Sequence, residues 1–389
     1  MKSFSPFLIF TLIILLAGNT QTSHAQSGLP PCDQRPTLID PPWVNATYYC
    51  AELVIHDESG GEMGFTSLAA APDGTLFATR PLSGEVLQLE DTNADGLPDT
   101  AHVVAQGLTL PNGLAYYDGA LYISGGTNID KLVDGKLETL VNDLPTGAGF
   151  WTGGIAVGDD KRLYVGIGAE CDACEQKQQD RGTILSFALD GSDRQVVATG
   201  LRQPNDLAFR DGVLWTVDTA RDGLDYTASF DELNHVTTGA NFGWPYCIGK
   251  ENTADPLYPK ADCSKVTAPS LTFPTHSNPL GIVAYSGDAF PHLKGQLLLT
   301  MGGAIHESYL NGYTLVTIGF DADGNPQEPD IILPELPSNN EQWSAINLQK
   351  MHFQASGFWQ HHPYDVTISR EGWIYVSLGG GTIWALRPR

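Results

Sequence analysis

One supersecondary unit recurs six times along this chain, and that constrains the fold more than any other feature. LPNGLAYYDGALYISGG (110–126) aligns with QPNDLAFRDGVLWTVDT (203–219) and HPYDVTISREGWIYVSLGG (362–380). WTGGIAVGDDKRLYVGIG (151–168) fits with one insertion, and NPLGIVAYSGDAFPHLKGQLLLTMGG (278–303) fits with a longer turn. FTSLAAAPDGTLFATR (65–80) begins the series. Each copy pairs two short apolar runs across a DG- or GD-type turn, which is hairpin chemistry, and extended helical periodicity is nearly absent. Early copies recur every 40 to 50 residues, the length of one four-stranded propeller blade. The pattern predicts an all-β fold, a six-bladed β-propeller with four-stranded antiparallel blades around a central channel, over residues 59–389. Wider spacing later in the chain predicts insertions around 222–275 and 325–360. Residues 26–58 form an N-terminal segment with a disulfide, and YYCAELVIHD (48–57) is expected to add a strand to the last blade and close the ring.

Residues 1–25 have the form of a secretory signal: Lys2, the apolar run Phe7 to Gly18, then Ser23-His24-Ala25 as a cleavage site. The apolar run is short for a membrane span, and no later segment approaches the ~20 apolar residues a span needs. The expectation is a soluble exported protein, periplasmic or secreted, cleaved near Ala25. Cleavage removes Lys2 and no acid, leaving 20 basic against 45 acidic residues, a charge of −25. Such a field disfavours nucleic acid and anionic membranes as partners. Six cysteines in an exported chain allow 15 pairings. Local spacing favours Cys32–Cys50, Cys171–Cys174 and Cys247–Cys263. CDAC is also compatible with a redox motif or half a zinc site, but it lacks a βαβ setting and a second CxxC.

Repeat phase places two sets of residues at one mouth of the channel, where loops lead into the innermost strands. Thr109, Phe150, Arg202, Ser277 and His361 share one position; Asn112, Gly153, Asn205, Leu280 and Tyr364 share another. Arg202 is an anion-binding or electrophilic candidate, against the alternative of a surface ion pair. His361 and His362 are candidate bases or ligands, against that of polar loop residues. DTNADGLPD (91–99) has the spacing of a calcium loop, with Asp91, Asn93, Asp95 and Asp99 as oxygen donors. It reads equally as an acidic turn. DELNHVTTGANFGWPYC (231–247) is either a lid or a buried corner.

GLRQPNDLAF, DELNHVTTGANFGWPYC, RGTILSFALDG (181–191) and LYVGIGAECDAC together resemble the soluble quinoprotein glucose/sorbosone dehydrogenases, which include PQQ-dependent aldose and pyranose dehydrogenases. The resemblance covers most of residues 60–389 and is most specific between 150 and 250. It implies a six-bladed propeller in which a histidine takes a proton from a sugar hydroxyl while hydride passes to PQQ. An arginine polarises the quinone, and calcium acts as Lewis acid. Carried over by position, it implies Arg202 as that arginine, Gln203 and Asn205 as amide partners, and Asp218 and Asp222 near the calcium. Phe150 stands where the histidine belongs, with Trp151 beside it, so His361 or His362 would have to serve as base. Basic residues expected in GGAIHE (302–307) and HHPYDV (361–366) are absent or reduced to histidine.

Two other functions fit the same mouth. LPNGLAYYDGALYIS also resembles gluconolactonase-like propellers, which implies a metal-dependent hydrolase with Asn112, Asn205 and Asp206 as ligands and Glu62 nearby. A non-catalytic propeller would bind a sugar or a partner, with Phe150 and Trp151 as stacking surfaces. The substrate expected is a small sugar; the electron acceptor is unspecified.

Overall fold

The computed structural model describes residues 1, 29–40, 43–61, 63–145, 147–221, 230–303, 312–334 and 361–389. The signal reading, Glu62 and Asp222 lie outside the described residues. Within the compact unit Pro31–Arg389, six antiparallel sheets succeed one another in sequence as the repeats require. Blade one begins with Leu68–Ala70, blade two with Pro111–Tyr117, and blade three with Thr152–Val157. Pro204–Arg210, Pro279–Ala284 and Pro363–Ile368 open blades four to six. These are the strands that line the channel. Three of the DG turns form as two-residue hairpin loops: Asp118–Gly119, Asp134–Gly135 and Asp211–Gly212 all have positive φ at both positions. That conformation matches the right-handed twist of the flanking strands.

Apolar residues on the blade faces pack between consecutive sheets. Phe77, Val86 and Ala105 of blade one meet Leu114, Leu121 and Ile123 of blade two, and similar clusters join each later pair of blades through the sixth. At the channel, side-chain hydrogen bonds tie the ring more specifically. Ser67 Oγ accepts from Leu114 N at 3.1 Å, Asp206 Oδ2 from Ile282 N at 2.9 Å, and Asp365 Oδ2 from Leu68 N at 2.6 Å. All three side chains sit at one register position of the repeat. Glycine holds that position in blade three, where a Cβ on Gly154 would overlap Asp206 Oδ1.

The segment 231–247 forms a strand and a corner that bury Leu233, Val236, Ala240, Phe242 and Cys247 and leave His235, Asn241 and Tyr246 exposed. Asp231–Val236 is the third strand of blade four, and Ala240–Asn241 then adds in parallel to the outer edge of blade three. The chain returns through the Cys247–Cys263 loop to Leu271–Phe273, the outer strand of blade four. Cys32–Cys50 and Cys171–Cys174 complete the set of disulfides.

Tyr49–His56 pairs antiparallel with Thr382–Pro388 and is the outer strand of blade six, so the ring closes as the repeats imply. A buried ionic cluster fastens the closure. Glu52, fully buried, accepts from Arg35 Nη1 at 3.0 Å, Arg387 Nε at 2.6 Å, Arg387 Nη2 at 2.7 Å and Thr37 Oγ1 at 2.8 Å. Burial pushes its pKa up, but the hydrogen bonds from Arg387 and Thr37 and the charge of Arg387 hold it below the usual glutamate value.

Candidate functional site

At the mouth lies a cavity of about 100 Å³. Its lining includes Asn112, Gly153, Asn205, Leu280 and Tyr364, the second set assigned by repeat phase, together with Trp151, Gln203, Asp206 and Asp365. A second space of about 330 Å³ continues down the channel between the inner strands and shares Asp206 and Asp365 with the first. Neither lining contains a lysine, arginine or histidine among the described residues.

The polar groups are oriented by their partners. Asn112 Nδ2 donates to Thr152 O at 3.2 Å, and Asn205 Nδ2 donates to Pro279 O at 2.7 Å and Thr219 Oγ1 at 2.8 Å. A carbonyl oxygen only accepts, so each amide must present its NH2 to the backbone and its Oδ1 elsewhere. Asp206 and Asp365 approach each other from blades four and six. Burial, and then the charge of Asp365, push Asp206 well above the usual carboxylate range; burial pushes Asp365 up to about 7. Two carboxylates in one channel do not ionise independently, and the charge on one disfavours ionisation of the other.

The first set assigned by repeat phase stands outside this lining, and Arg202 shows why. It is the largest side chain in the described core that is almost wholly buried, 1% exposed. Nε and Nη2 donate to Asp172 Oδ1 at 3.1 and 2.6 Å, and Nη1 donates to Thr219 O at 3.1 Å. The guanidinium carbon lies 4.1 Å from the centroid of the Phe150 ring, a cation–π contact. Phe150 and Arg202 therefore meet, but against each other. Behind Arg202, Asp218 accepts from Arg202 N at 3.0 Å and Gln203 N at 2.6 Å, and burial raises its pKa to about 6. Asp231 accepts from Ala220 N and Asn278 N, with its pKa raised to about 7 by burial. Glu232 rises to about 8 through burial and then the charge of Asp218.

His361 and His362 are not brought to Arg202 or to the cavity lining. The His361 ring lies 5.6 Å from that of Trp384, and burial, followed by the charge of His362, lowers its pKa. His362 Nδ1 contacts Gly302 O at 2.8 Å, and its ring lies 4.6 Å from Tyr313. In the 91–99 loop, Asp91 accepts from Gly96 N at 2.7 Å, Asn93 Oδ1 from Asp95 N at 2.9 Å, and Asp99 Oδ1 from Thr92 Oγ1 at 2.8 Å. As placed, these side chains satisfy the turn's own donors. Among the described residues, no group of three His, Cys, Asp or Glu side chains that could hold a metal ion is found.

Comparison with known proteins bears directly on this geometry. The glucose/sorbosone dehydrogenase family model matches residues 132–318, from blade two to blade five. The chain is similar to the glucose/sorbosone dehydrogenases. An uncharacterized protein of Borreliella burgdorferi is 27% identical over 247 residues, which span 57% of this chain and 64% of that relative's length. A Trichoderma reesei enzyme of carbohydrate-active family AA12 superposes with TM-score 0.71 at 17% identity, covering 92% of this chain and 98% of its own. The PQQ domain of Coprinopsis cinerea pyranose dehydrogenase gives 0.70 at 16%, covering 88% and 96%. A PQQ-bound aldose sugar dehydrogenase of Streptomyces coelicolor gives 0.59 at 17%, covering 88% and 99%. At such identities the solved structures speak for the fold. The dehydrogenase-like features of the chain therefore rest on the family match and on residues at named positions.

Two residues central to this site were missed from the sequence. Asp172 was visible inside CDAC but was read only as spacing between cysteines. Asp365 shares the register position of Asp206, so extending the repeat alignment by one residue would have exposed the pair.

Proposed function

We propose that this protein is an exported propeller of the glucose/sorbosone dehydrogenase type that takes a neutral sugar at the mouth cavity. Trp151 offers a ring face there, with Gln203, Asn112, Asn205 and Tyr364 as hydrogen-bonding groups, the usual mixture for a polyhydroxylated ligand. In this reading the described residues do not carry PQQ chemistry. The observation behind it is the burial of Arg202, whose three guanidinium nitrogens are all engaged and whose face is covered by Phe150. PQQ brings three carboxylates to a cavity lined by Asp206 and Asp365 and by no basic side chain among the described residues. Each uncompensated buried charge costs several kcal/mol, so the group does not fit the described residues as they stand.

Calorimetry with glucose and related aldoses, run beside dye reduction after reconstitution with PQQ and calcium, tests this reading. The expected result is sugar binding that Trp151→Ala weakens about tenfold, with no aldose-dependent dye reduction. Aldose-dependent reduction, or the absence of any sugar binding, overturns it.

One observation favours a second reading, metal-dependent hydrolysis: Asn112, Asn205 and Asp206 line a single cavity, and their oxygens suit a hard divalent ion. Lactone hydrolysis abolished by EDTA and restored by calcium is its expected signature, and hydrolysis that survives EDTA overturns it.

A further inference from the structure

The three disulfides differ in how open they are to thiol attack. Cys32–Cys50 and Cys247–Cys263 span 18 and 16 residues, and each has one buried member, Cys50 at 0% and Cys247 at 4% exposure. Cys171–Cys174 spans three residues, and both its members are half-buried. Thiol–disulfide exchange needs a sulfur that an attacking thiolate can reach and a leaving thiolate that water can solvate. In the two longer bridges, attack on the accessible member expels a thiolate into the core, and attack on the buried member is blocked. In Cys171–Cys174 either member can be attacked and either can leave without being stranded in the core. Closing so short a loop also restrains the unfolded chain least of the three, so its opening costs the fold least.

The loop that carries this bridge joins Arg162–Ile167 to Thr183–Ala188 within blade three, and its tip reaches toward blade four. Asp172 Oδ1 accepts from Arg202, which stands just before the inner strand of blade four. Ala173 O accepts from Tyr258 Oη at 3.5 Å, in the loop closed by Cys247–Cys263. Asp172 and Ala173 are the two residues that the short bridge encloses. Gln176 braces the tip from behind: its Nε2 donates to Cys174 O at 2.9 Å and its Oε1 accepts from Glu170 N at 2.7 Å. The loop is thus a clasp across two blades with a disulfide at its tip. We propose that Cys171–Cys174 is a thiol–disulfide exchange site for a dithiol partner, and that it makes this clasp redox-sensitive. A thiolate of the partner attacks one cysteine sulfur, breaks the S–S bond and expels the other sulfur as a thiolate, leaving a mixed disulfide. The partner's second thiol then displaces the first cysteine. The partner ends as a disulfide and Cys171 and Cys174 as thiols, with two electrons and two protons passed to the protein. The ion pair to Arg202 remains in the reduced loop, so the clasp loosens without releasing Arg202.

The experiment treats the whole folded protein with limiting dithiothreitol, traps thiols with iodoacetamide at successive times, and reads each cysteine by peptide mass spectrometry. Cys171 and Cys174 are expected to be labelled together, about tenfold or more faster than Cys32, Cys50, Cys247 and Cys263, with the far-UV spectrum unchanged. Oxidised glutathione, added in place of the alkylating reagent, is expected to restore the bridge. Labelling of Cys171 and Cys174 no faster than that of the other four overturns the exchange site. The clasp is read separately, by the thermal midpoint of the protein reduced at this bridge alone, which is expected to fall by a few degrees. Cys171→Ser combined with Cys174→Ser should show the same lowered midpoint and no further response to dithiothreitol; if that variant does not fold, the wild-type reduction still decides. Asp172→Asn removes the charged contact with Arg202, and reduction should then lower the midpoint by a smaller amount than in wild type. A wild-type midpoint that does not move on reduction, or a fall of equal size in Asp172→Asn, overturns the clasp.

Discussion

Replacing Glu52 by glutamine should nearly open the ring. The substitution keeps shape and one acceptor oxygen but removes the carboxylate that Arg35 Nη1 and Arg387 Nε and Nη2 contact in the ring-closing cluster. Both arginines remain almost completely buried, with side chains 1% and 4% exposed. Breaking a buried pair by removing one partner costs about 3–5 kcal/mol, mostly through the stranded charge. Here both guanidinium groups lose contacts to the same carboxylate, which places the expectation within that range. Against a total stability of about 5–15 kcal/mol, that loss is large. Urea unfolding followed by tryptophan fluorescence, with Trp384 beside the closing strand, measures it. The midpoint should fall with the slope unchanged, and by the same amount at low and high salt, because the cluster is shielded from solvent.

The pH dependence gives a second readout of the same cluster. The folded pKa of Glu52 lies below its unfolded value, so its contribution is present above the unfolded value and is lost as pH falls through the folded one. Glu52→Gln should therefore flatten the acid arm of the stability curve. A loss below about 1 kcal/mol, the range of exposed ion pairs, or a strongly salt-dependent loss would refute the idea that this cluster holds the ring closed.

The acids behind Arg202 act with the opposite sign. Asp231 and Glu232 have folded pKa values raised to about 7 and about 8, so their protonated forms favour the fold and stability declines as pH rises through those values. Thermal midpoints should fall between pH 5 and 8.5, and Glu232→Gln should reduce that slope. Gly154→Ala should cost about 1–3 kcal/mol in denaturant unfolding, because its methyl group would overlap Asp206 Oδ1. Phe150→Ala removes the ring on which Arg202 rests and should cost about 2 kcal/mol or more, again read by unfolding.

Periodic features were the ones legible in the chain. The inner strands, the DG hairpins and the closing strand Tyr49–His56 all recur in, or complete, a pattern that one-dimensional comparison reveals. Local disulfides were legible because short spacing limits the choices. Within the site, Asn112, Gly153, Asn205, Leu280 and Tyr364 were found as a set because they share a phase. Phase alone could not say that Arg202, three residues earlier, stands outside the lining of the mouth cavity. That placement involves Asp172, which reaches it from the CxxC loop of another blade, 30 residues away in sequence and outside the repeat. His361 and His362 likewise sat at a mouth position in the alignment, but packing on Trp384 and Tyr313 decides where their rings lie.

The closing strand also has a kinetic consequence. Each blade can assemble from hairpins whose partners are near in sequence, but the contact of Glu52 with Arg387 spans 335 residues. Bringing such distant segments together carries a loop entropy of roughly 5 kcal/mol, which no single blade repays. Closure is therefore expected to come late in folding, and until then the first and last blades present unpaired strand edges, the surfaces through which chains associate wrongly. Interactions that form only at closure would act chiefly by slowing the opening of the ring.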